Sequence, residues 1–412
     1  MDYYPRKIEK KLEFWLKRNE IIIIKGARQT GKTTLLKHLK EVYGGNYVTL
    51  EDEEIKKALE KEPKEFVKRF GEKEILFIDE AQYLGEIGRI LKLLFDLYGE
   101  KIKIVVTGSG SFDIKVEIGK HLVGRAIYFE LFPLDFEEFL LWKKGDLIPI
   151  FLDYKNQVID YILKGVEPEI KPIFEKEFIN SIEEYILFGG FPAIVKEENI
   201  EVKKELLKNL VRTYIEKDIF FFLGIRHIEK FRNLIEYLAT NTGSLLNLSN
   251  IVSDLKIDFR TLEFYLNILA NTYIITLLNP FHKNLSTELK KSKKVYFTDL
   301  GLRNSIIGDF NFLERRIDKG FLYENFILNE IKKSFEKIKY WRTTGKSEVD
   351  FIIEIEKGII PVEVKTETKI KRGFMNFLKN YNVGRAVVFD SKEFKSEKIG
   401  DTQVIFFPHF FI

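Results

Sequence analysis

The 412-residue chain contains no cysteine. That absence excludes a disulfide framework, a thiol nucleophile, an iron–sulfur cluster and any cysteine-based zinc site. Histidine is nearly as scarce: His38, His121, His227, His282 and His409 are scattered, so no local histidine metal motif exists. Only two Met occur, and Gln is confined to Gln29, Gln82, Gln157 and Gln403. Few thermolabile side chains beside abundant Lys, Glu and Ile suggest a thermophilic source. An excess of one charge is also lacking. Lys and Arg number 67 and Asp and Glu 63, a formal net charge of +4. This argues against a chain dedicated to nucleic acid and leaves a local basic patch open. No uninterrupted apolar run approaches the ~18 residues of a membrane helix, and the first residues carry no apolar signal region. A soluble, cytoplasmic protein without a membrane partner is therefore expected. Hydrophobic residues make up 45%, enough for real cores, and at ~150 residues per domain the length suggests two to three domains.

What is present is organised by apolar runs. Ile21–Ile24, Tyr47–Leu50, Ile75–Ile78, Ile104–Val106 and Ala126–Leu131 are short and continuous, and charged helical segments separate them. Such runs predict buried parallel strands joined by crossover helices. From about 134 to 225 the pattern is mostly helical, punctuated by Phe188-Gly189-Gly190-Phe191-Pro192, a helix stop and turn. Residues 226 to 295 predict a small helical unit with a β-rich end: a helix over Leu248–Leu255, a second one capped by Asp258 and running through Ala270, and a strand over Tyr273–Leu278. The tail returns to α/β character, with a helix over Gly320–Phe335 and strands at Val349–Ile353, Ile359–Val364 and Ala386–Phe389.

Gly26-Ala27-Arg28-Gln29-Thr30-Gly31-Lys32-Thr33 fits G-x-x-x-x-G-K-[ST] between a predicted strand and the helical pattern Thr34–Tyr43, the context this phosphate-binding loop requires. Glycines let the backbone N–H groups curl around phosphate oxygens, and the helix N-terminus adds a positive dipole end. Lys32 would reach the β- and γ-phosphates of ATP, and the Thr33 hydroxyl would hold Mg²⁺. Ile75–Ile78 ends in Asp79-Glu80, two carboxylates at the strand's C-terminal end, where open α/β sheets bind ligands. Asp79 would orient a Mg²⁺-bound water, and Glu80 would act as general base on the attacking water. A polar residue after Ile104–Val106, with Ser109 the choice, would sense the γ-phosphate; a Gly- and Ser-rich turn reads the same way. Arg125 is a candidate arginine finger, in cis or toward a neighbouring subunit, or a surface ion-pair residue.

Further along, Glu348-Val349-Asp350 and Pro361-Val362-Glu363-Val364-Lys365 give D…E-x-K on adjacent strands. Residues two apart on a strand share a face, so Glu363 and Lys365 point the same way and Asp350 can join them; the two carboxylates would hold Mg²⁺ or Mn²⁺ to activate water against a phosphodiester, and Lys365 would steady the hydroxide or the developing charge. An ordinary half-solvated hairpin has the same alternation. Ser249–Ala270 reads as helix-turn-helix, and Lys283, Lys290, Lys291, Lys293 and Lys294 would form a wing facing DNA phosphates. The second helix carries only Arg260 as a basic residue, so a packing module between neighbouring units is an equal reading.

The phosphate loop with Arg28-Gln29, the Asp79-Glu80-Ala81-Gln82 box, Thr107-Gly108-Ser109 and Gly124-Arg125 resemble the archaeal and bacterial AAA-type ATPases. Tyr4-Pro5-Arg6, Phe188–Pro192, Tyr214-Ile215-Glu216-Lys217-Asp218 and Tyr296–Gly301 are weaker landmarks of the same resemblance, which covers nearly the whole chain. It implies an α/β protein: a P-loop NTPase core with a parallel sheet over 1–135, a helical lid over 136–225, a winged-helix-like unit over 226–295, and a PD-(D/E)xK, restriction-endonuclease-like α/β domain over 296–412. In that last domain Glu324 would be the fourth acidic group. The ATP contacts implied run from Gly26 through Thr34. The expected activity is Mg²⁺-dependent ATP hydrolysis coupled to the nuclease-like domain. The alternative is a nucleotide-switched regulatory protein with slow turnover. DNA and a homo-oligomer remain open as partners.

Overall fold

The isoleucine run at Ile21–Lys25 forms β1, the centre of a five-stranded parallel sheet. Its order is β2-β3-β4-β1-β5, with β2 at Asn46–Thr49, β3 at Ile75–Asp79, β4 at Lys103–Gly108 and β5 at Ala126–Glu130. β1, β3 and β4 are apolar on both faces because crossover helices cover both faces. The computed structural model describes residues 3–71, 74–108, 120–214, 225, 227–282, 292–343, 345, 347–366, 372–390 and 394–412. On one face, α1 (Ile8–Leu16) and α2 (Lys32–Tyr43) bring Leu12, Leu35, Leu36 and Leu39 onto Ile22, Ile24, Phe77 and Val105. On the other face, α3 (Glu53–Lys61), α4 (Pro63–Phe70) and α5 (Ile87–Tyr98) pack Leu59, Phe66, Leu91 and Leu94 against Ile21, Ile23, Leu76 and Ile78.

After β5 the chain turns helical, as its sequence pattern predicts. Asp135 and Glu138 form a reciprocal capping box that starts α6 (Phe136–Lys143), which satisfies two N-terminal donors. Next come α7 (Ile148–Lys164), α8 (Glu175–Phe188), α9 (Pro192–Lys196) and α10 (Ile200–Thr213). Phe136 is the aromatic centre of this region, meeting Phe151, Tyr185 and Phe326 at centroid distances of 5.5, 5.6 and 5.5 Å.

The middle unit consists of α11 (Ile228–Thr240), α12 (Leu248–Leu255) and α13 (Phe259–Asn271), followed by antiparallel β6 (Ile275–Leu278) and β7 (Lys294–Phe297). Asp258 caps α13 by accepting from Thr261 N–H at 2.9 Å. The division expected at 295/296 falls inside β7, so this strand belongs to the middle unit as a whole. Lys294, expected on a DNA-facing wing, is 1% exposed. Lys293 is exposed, and Lys283, Lys290 and Lys291 lie outside the described residues.

The last part contains α14 (Leu300–Ile307), α15 (Lys319–Ser334), α16 (Arg372–Tyr381) and a mixed sheet of order β12-β13-β11-β10-β9-β8. Its strands are β8 (Ile338–Arg342), β9 (Glu348–Ile355), β10 (Gly358–Val364), β11 (Arg385–Asp390), β12 (Lys395–Ile399) and β13 (Thr402–Pro408). The apolar residues at 404–407, which make no membrane span, are buried in β13 next to β11. Among the described residues no helix is long and apolar enough to cross a membrane.

Two glycine-marked turns meet here. Gly190 N–H donates to Asp299 Oδ2 at 2.7 Å, and Asp299 Oδ1 caps α14 through Leu302 N–H at 2.8 Å. Gly301 lies so close to the α8 terminus that a Cβ would overlap the Phe188 carbonyl. A Gly301→Ala change must move one backbone against another, and overpacking of this kind costs ~1–3 kcal/mol. The expected outcome is a melting temperature several degrees lower by circular dichroism; an unchanged melting curve refutes the crowding.

Candidate functional site

The loop between β1 and α2 turns on two residues outside the usual backbone region. Gln29 has φ +60° and Gly31 has φ +95°. Gly26 has no space for a side chain, because a Cβ would overlap the Leu131 carbonyl. These features leave the N–H groups ahead of α2 facing a common centre, as a phosphate cradle requires. Lys32 is buried, and its Nζ donates to Ala27 O at 2.6 Å and Gly26 O at 3.1 Å. Its ammonium is thus stored at the loop mouth on carbonyls that a phosphate would displace.

Asp79 ends β3 and is the node of the site. Its Oδ2 accepts from Thr33 Oγ1 at 2.7 Å and from the Tyr47 hydroxyl at 2.7 Å. Its Oδ1 accepts from Thr107 Oγ1 and from Glu80 N–H, the latter at 3.1 Å. Burial, then Asp79, pushes the Tyr47 phenol above its ordinary range, so Tyr47 remains a donor. Thr33 and Asp79 present a hard-oxygen pair that suits Mg²⁺. Glu80 follows in the left-handed region at φ +57°, and Gln82 donates to its carboxylate. Burial raises the Glu80 pKa, with Lys32 opposing. A carboxylate shifted upward is a better proton acceptor near neutral pH.

Sequence reasoning named Thr33, Asp79 and Glu80 and missed Tyr47 and Thr107 as partners of Asp79. The signal for both was their place on strands beside β3: Tyr47 lies in β2, where it pairs with Phe77, and Thr107 follows Val106, the partner of Ile78, in β4. Ser109 lies outside the described residues. Arg125 is a correction for the in-cis role. Its carbonyl bonds Ile21 N–H at the start of β1, and its side chain pairs with Asp96 at 2.8 Å. The phosphate loop follows the opposite end of β1, so the length of the strand separates Arg125 from the phosphate site of its own chain.

Arg6 belongs to the Tyr4-Pro5-Arg6 landmark. It is 7% exposed and donates to Thr30 O at 2.8 Å, to Phe132 O at 2.8 Å and to both Glu138 oxygens at 3.0 and 3.2 Å. It therefore ties the phosphate loop to the connector and capping box that begin the helical region. Pro192, at the start of α9, approaches the same loop, lying 3.9 Å from a Cβ placed on Gly31.

Of the C-terminal acidic residues, Glu324 and Glu348 gather on Lys294. Glu324 Oε1 lies 3.0 Å from Lys294 Nζ and accepts from Tyr296 OH at 2.5 Å, while Glu348 also pairs with Lys294. Asp350 Oδ2 accepts from Val364 N–H at 2.8 Å. Burial opposes the Lys294 charge, yet Glu324, Glu348 and Asp350 hold it above the usual lysine range. Glu363 lies one residue beyond the Val362–Phe351 pair of the antiparallel register, across from Asp350 on β9. Val362 and Val364 join the layer containing Phe351 and Phe389, whereas Glu363 pairs with Val388, whose layer contains Phe374 and Phe377. Alternation sends Lys365 with Glu363. Among the described residues no three carboxylate or imidazole groups converge on a metal position. Lys294 stands between Glu324 and Glu348, so Glu324, the expected fourth acidic group, is paired with an ammonium. Lys294→Ala would leave buried carboxylates without their cation, a loss of ~3–5 kcal/mol. The expected result in denaturant unfolding is a large drop in midpoint, partly recovered by adding Glu324→Gln; an unperturbed midpoint refutes the pairing.

The chain is similar to known proteins along most of its length. Residues 18–140 match the family described as "AAA domain", and two families described as domains of unknown function match 179–312 and 319–410. A relative from Methanocaldococcus jannaschii, an uncharacterized protein, is 29% identical over 88% of this chain and 80% of its own. One from Haemophilus influenzae, also uncharacterized, is 24% identical over 94% and 92%. Among solved structures, the Aeropyrum pernix ORC2 protein in ADPNP–ADP complexes is 10% identical over 79% of this chain and 92% of that one, with a TM-score of 0.35. The residues that match the AAA family carry the phosphate loop and the five-stranded parallel sheet, an α/β core of the P-loop NTPase type.

Proposed function

We propose that the protein is a Mg²⁺-dependent ATPase that works as a nucleotide-controlled switch. Its middle and C-terminal units act by binding and rearrangement rather than by cutting nucleic acid. The observation that carries this reading is the shared hydrogen-bond node at Asp79 together with Arg6, which joins the phosphate loop to the helical region. The loop N–H groups and Lys32 would bind the phosphates of ATP, and Thr33 and Asp79 would hold Mg²⁺. When bound, the ion neutralises charge on the β- and γ-oxygens. Glu80 would take the proton of the attacking water, held in place by Gln82. A shift of Thr30, whose hydroxyl bonds the Ala27 carbonyl that Lys32 also holds, would act directly on Arg6 and hence on Phe132 and Glu138.

The middle unit has the three-helix, two-strand layout of a winged helix, and the C-terminal sheet resembles that of a nuclease. Against cleavage stands Lys294, which occupies the acidic cluster. DNA remains a partner by binding alone, with Lys293 exposed on the hairpin. Arg125, partly exposed beside Asp96, would serve as a finger only toward a neighbouring subunit.

Steady-state hydrolysis of ATP by wild type, Lys32→Ala and Glu80→Gln tests the ATPase. Lys32→Ala is expected to lose nucleotide binding, whereas Glu80→Gln retains binding and loses about 10²–10⁴-fold in turnover, the range of general-base contributions. Turnover that survives both changes refutes it. Absence of nicking in Mn²⁺ or Mg²⁺, with and without ATP, is expected; metal-dependent nicking abolished by Asp350→Ala would restore the nuclease reading. The pH profile carries a sign. Because the Glu80 pKa is raised, its base form is lost on acidification at a higher pH than for an ordinary carboxylate. The acid limb of turnover is expected above the usual carboxylate range and should vanish in Glu80→Gln.

A further inference from the structure

A cavity of about 840 Å³ opens where the core, the helical region and the C-terminal unit meet. The core contributes Lys7, Lys11 and Lys25, the helical region Lys155, and the end of α15 Lys332 and Lys333. With Arg6, seven cationic side chains line it against four carboxylates. Two of those carboxylates are engaged: Glu138 by Arg6 at 3.0 Å and Asp135 by Lys7 at 2.5 Å. Lys155 is held by Glu137 at 3.1 Å. Glu130 accepts from the Tyr273 hydroxyl at 2.9 Å.

Lys332 and Lys333 lie side by side, with Glu130, Asp135 and the buried Glu330 within electrostatic reach. Lys332 donates to the Thr276 hydroxyl at 3.0 Å and lies beside Lys333. Burial, with Lys333 adding to it, lowers the Lys332 pKa to about 8. Lys333 extends over the Phe132 ring and Lys25 over Tyr128, at 5.4 and 5.2 Å from the centroids. Like charges gathered in a concave, partly desolvated site favour an anion between them. Lysines act there as point charges that tolerate many oxygen arrangements, as on phosphates, rather than as planar forks matched to one carboxylate. The volume falls within the range of small-ligand pockets, ~300–1,000 Å³. The residues of the phosphate loop do not line this cavity, so it is separate from the ATP site.

We propose that this cavity binds a compact polyanion carrying two or more phosphate groups, bridging the core to the C-terminal unit. Its wall includes Phe132 and Glu138, the partners of Arg6, so an occupant would rest on the same connector that leads to the phosphate loop.

Isothermal titration of the full chain with sodium tripolyphosphate tests this. The chain carries Lys32→Ala so that the phosphate loop is weakened. One equivalent is expected to bind, and adding Lys332→Ala with Lys333→Ala should weaken it about tenfold or more, a change of ~1.4 kcal/mol. Lys25→Ala should weaken it as well. With Lys32 intact, the Lys332→Ala/Lys333→Ala chain should bind a fluorescent ADP unchanged, which shows that fold and loop persist. Should that chain fail to fold, Lys333→Met, which keeps the apolar stem over Phe132, serves instead. Absence of tripolyphosphate binding in the Lys32→Ala chain overturns the proposal, as does binding insensitive to the cavity lysines. Retention of an oligonucleotide that tripolyphosphate does not displace overturns it too, in favour of a nucleic-acid surface.

Discussion

Arg6 places one guanidinium between three parts of the chain that are far apart in sequence. Its donors reach the phosphate loop at Thr30, the strand exit at Phe132 and the capping box at Glu138. Because the group is planar and buried, its donors have little freedom to trade partners, and leaving one unsatisfied is expensive in a low-dielectric setting. The loop, the exit of β5 and the start of α6 are therefore held as one geometric unit. The connector continues to Leu134, whose N–H bonds Gly190 O, and Gly190 in turn bonds Asp299 at the head of α14. Burial lifts Asp299 to about pH 6, against backbone donors that favour its charge. This run of short-range contacts makes the phosphate loop and the C-terminal half mechanically adjacent.

The two acidic clusters of the molecule differ in what balances their charge. At Asp79 the partners are hydroxyls and a backbone N–H, neutral donors that leave the negative charge in place for a divalent cation. At Glu324 the partner is Lys294, a fixed cation delivered by β7 of the preceding unit. A buried carboxylate needs a counter-charge, and a lysine built into the chain supplies it without metal. The same contact binds the middle and C-terminal units, reinforced by Asn325, which bonds both the N–H and the carbonyl of Phe297 at 2.8 and 2.7 Å. Glu324 and Asn325 of α15 thus clamp β7 of the middle unit to the C-terminal unit.

Much of the core was legible because its signals are local. The continuous apolar runs at 21–24, 75–78 and 104–106 leave little choice but buried strands, and the glycines and Lys32 of the phosphate loop mark the turn that follows β1. Asp258 and the helix after it were legible for the same reason, since a cap and its target are three residues apart. The edge strands β8 and β12 were not: Lys395–Ile399 is mostly exposed, and Ile338–Arg342 interrupts its apolar residues with Lys339 and Arg342, so neither shows a clear apolar run.

Sequence by itself determined the phosphate loop, the carboxylate pair Asp79-Glu80 and the succession of buried apolar strands, since each is written in residues adjacent along the chain. It also determined, through the missing cysteines, that every site would be built from oxygen and nitrogen groups. Tertiary structure alone decided the roles of residues set by long-range pairing. It joined Arg6 to Glu138, set Tyr47 and Thr107 on Asp79 and placed Arg125 at the far end of β1. It also turned Lys294 inward onto Glu324. The reason is physical: these contacts depend on which strands neighbour one another and on which face each side chain takes, and neither is fixed by residue type.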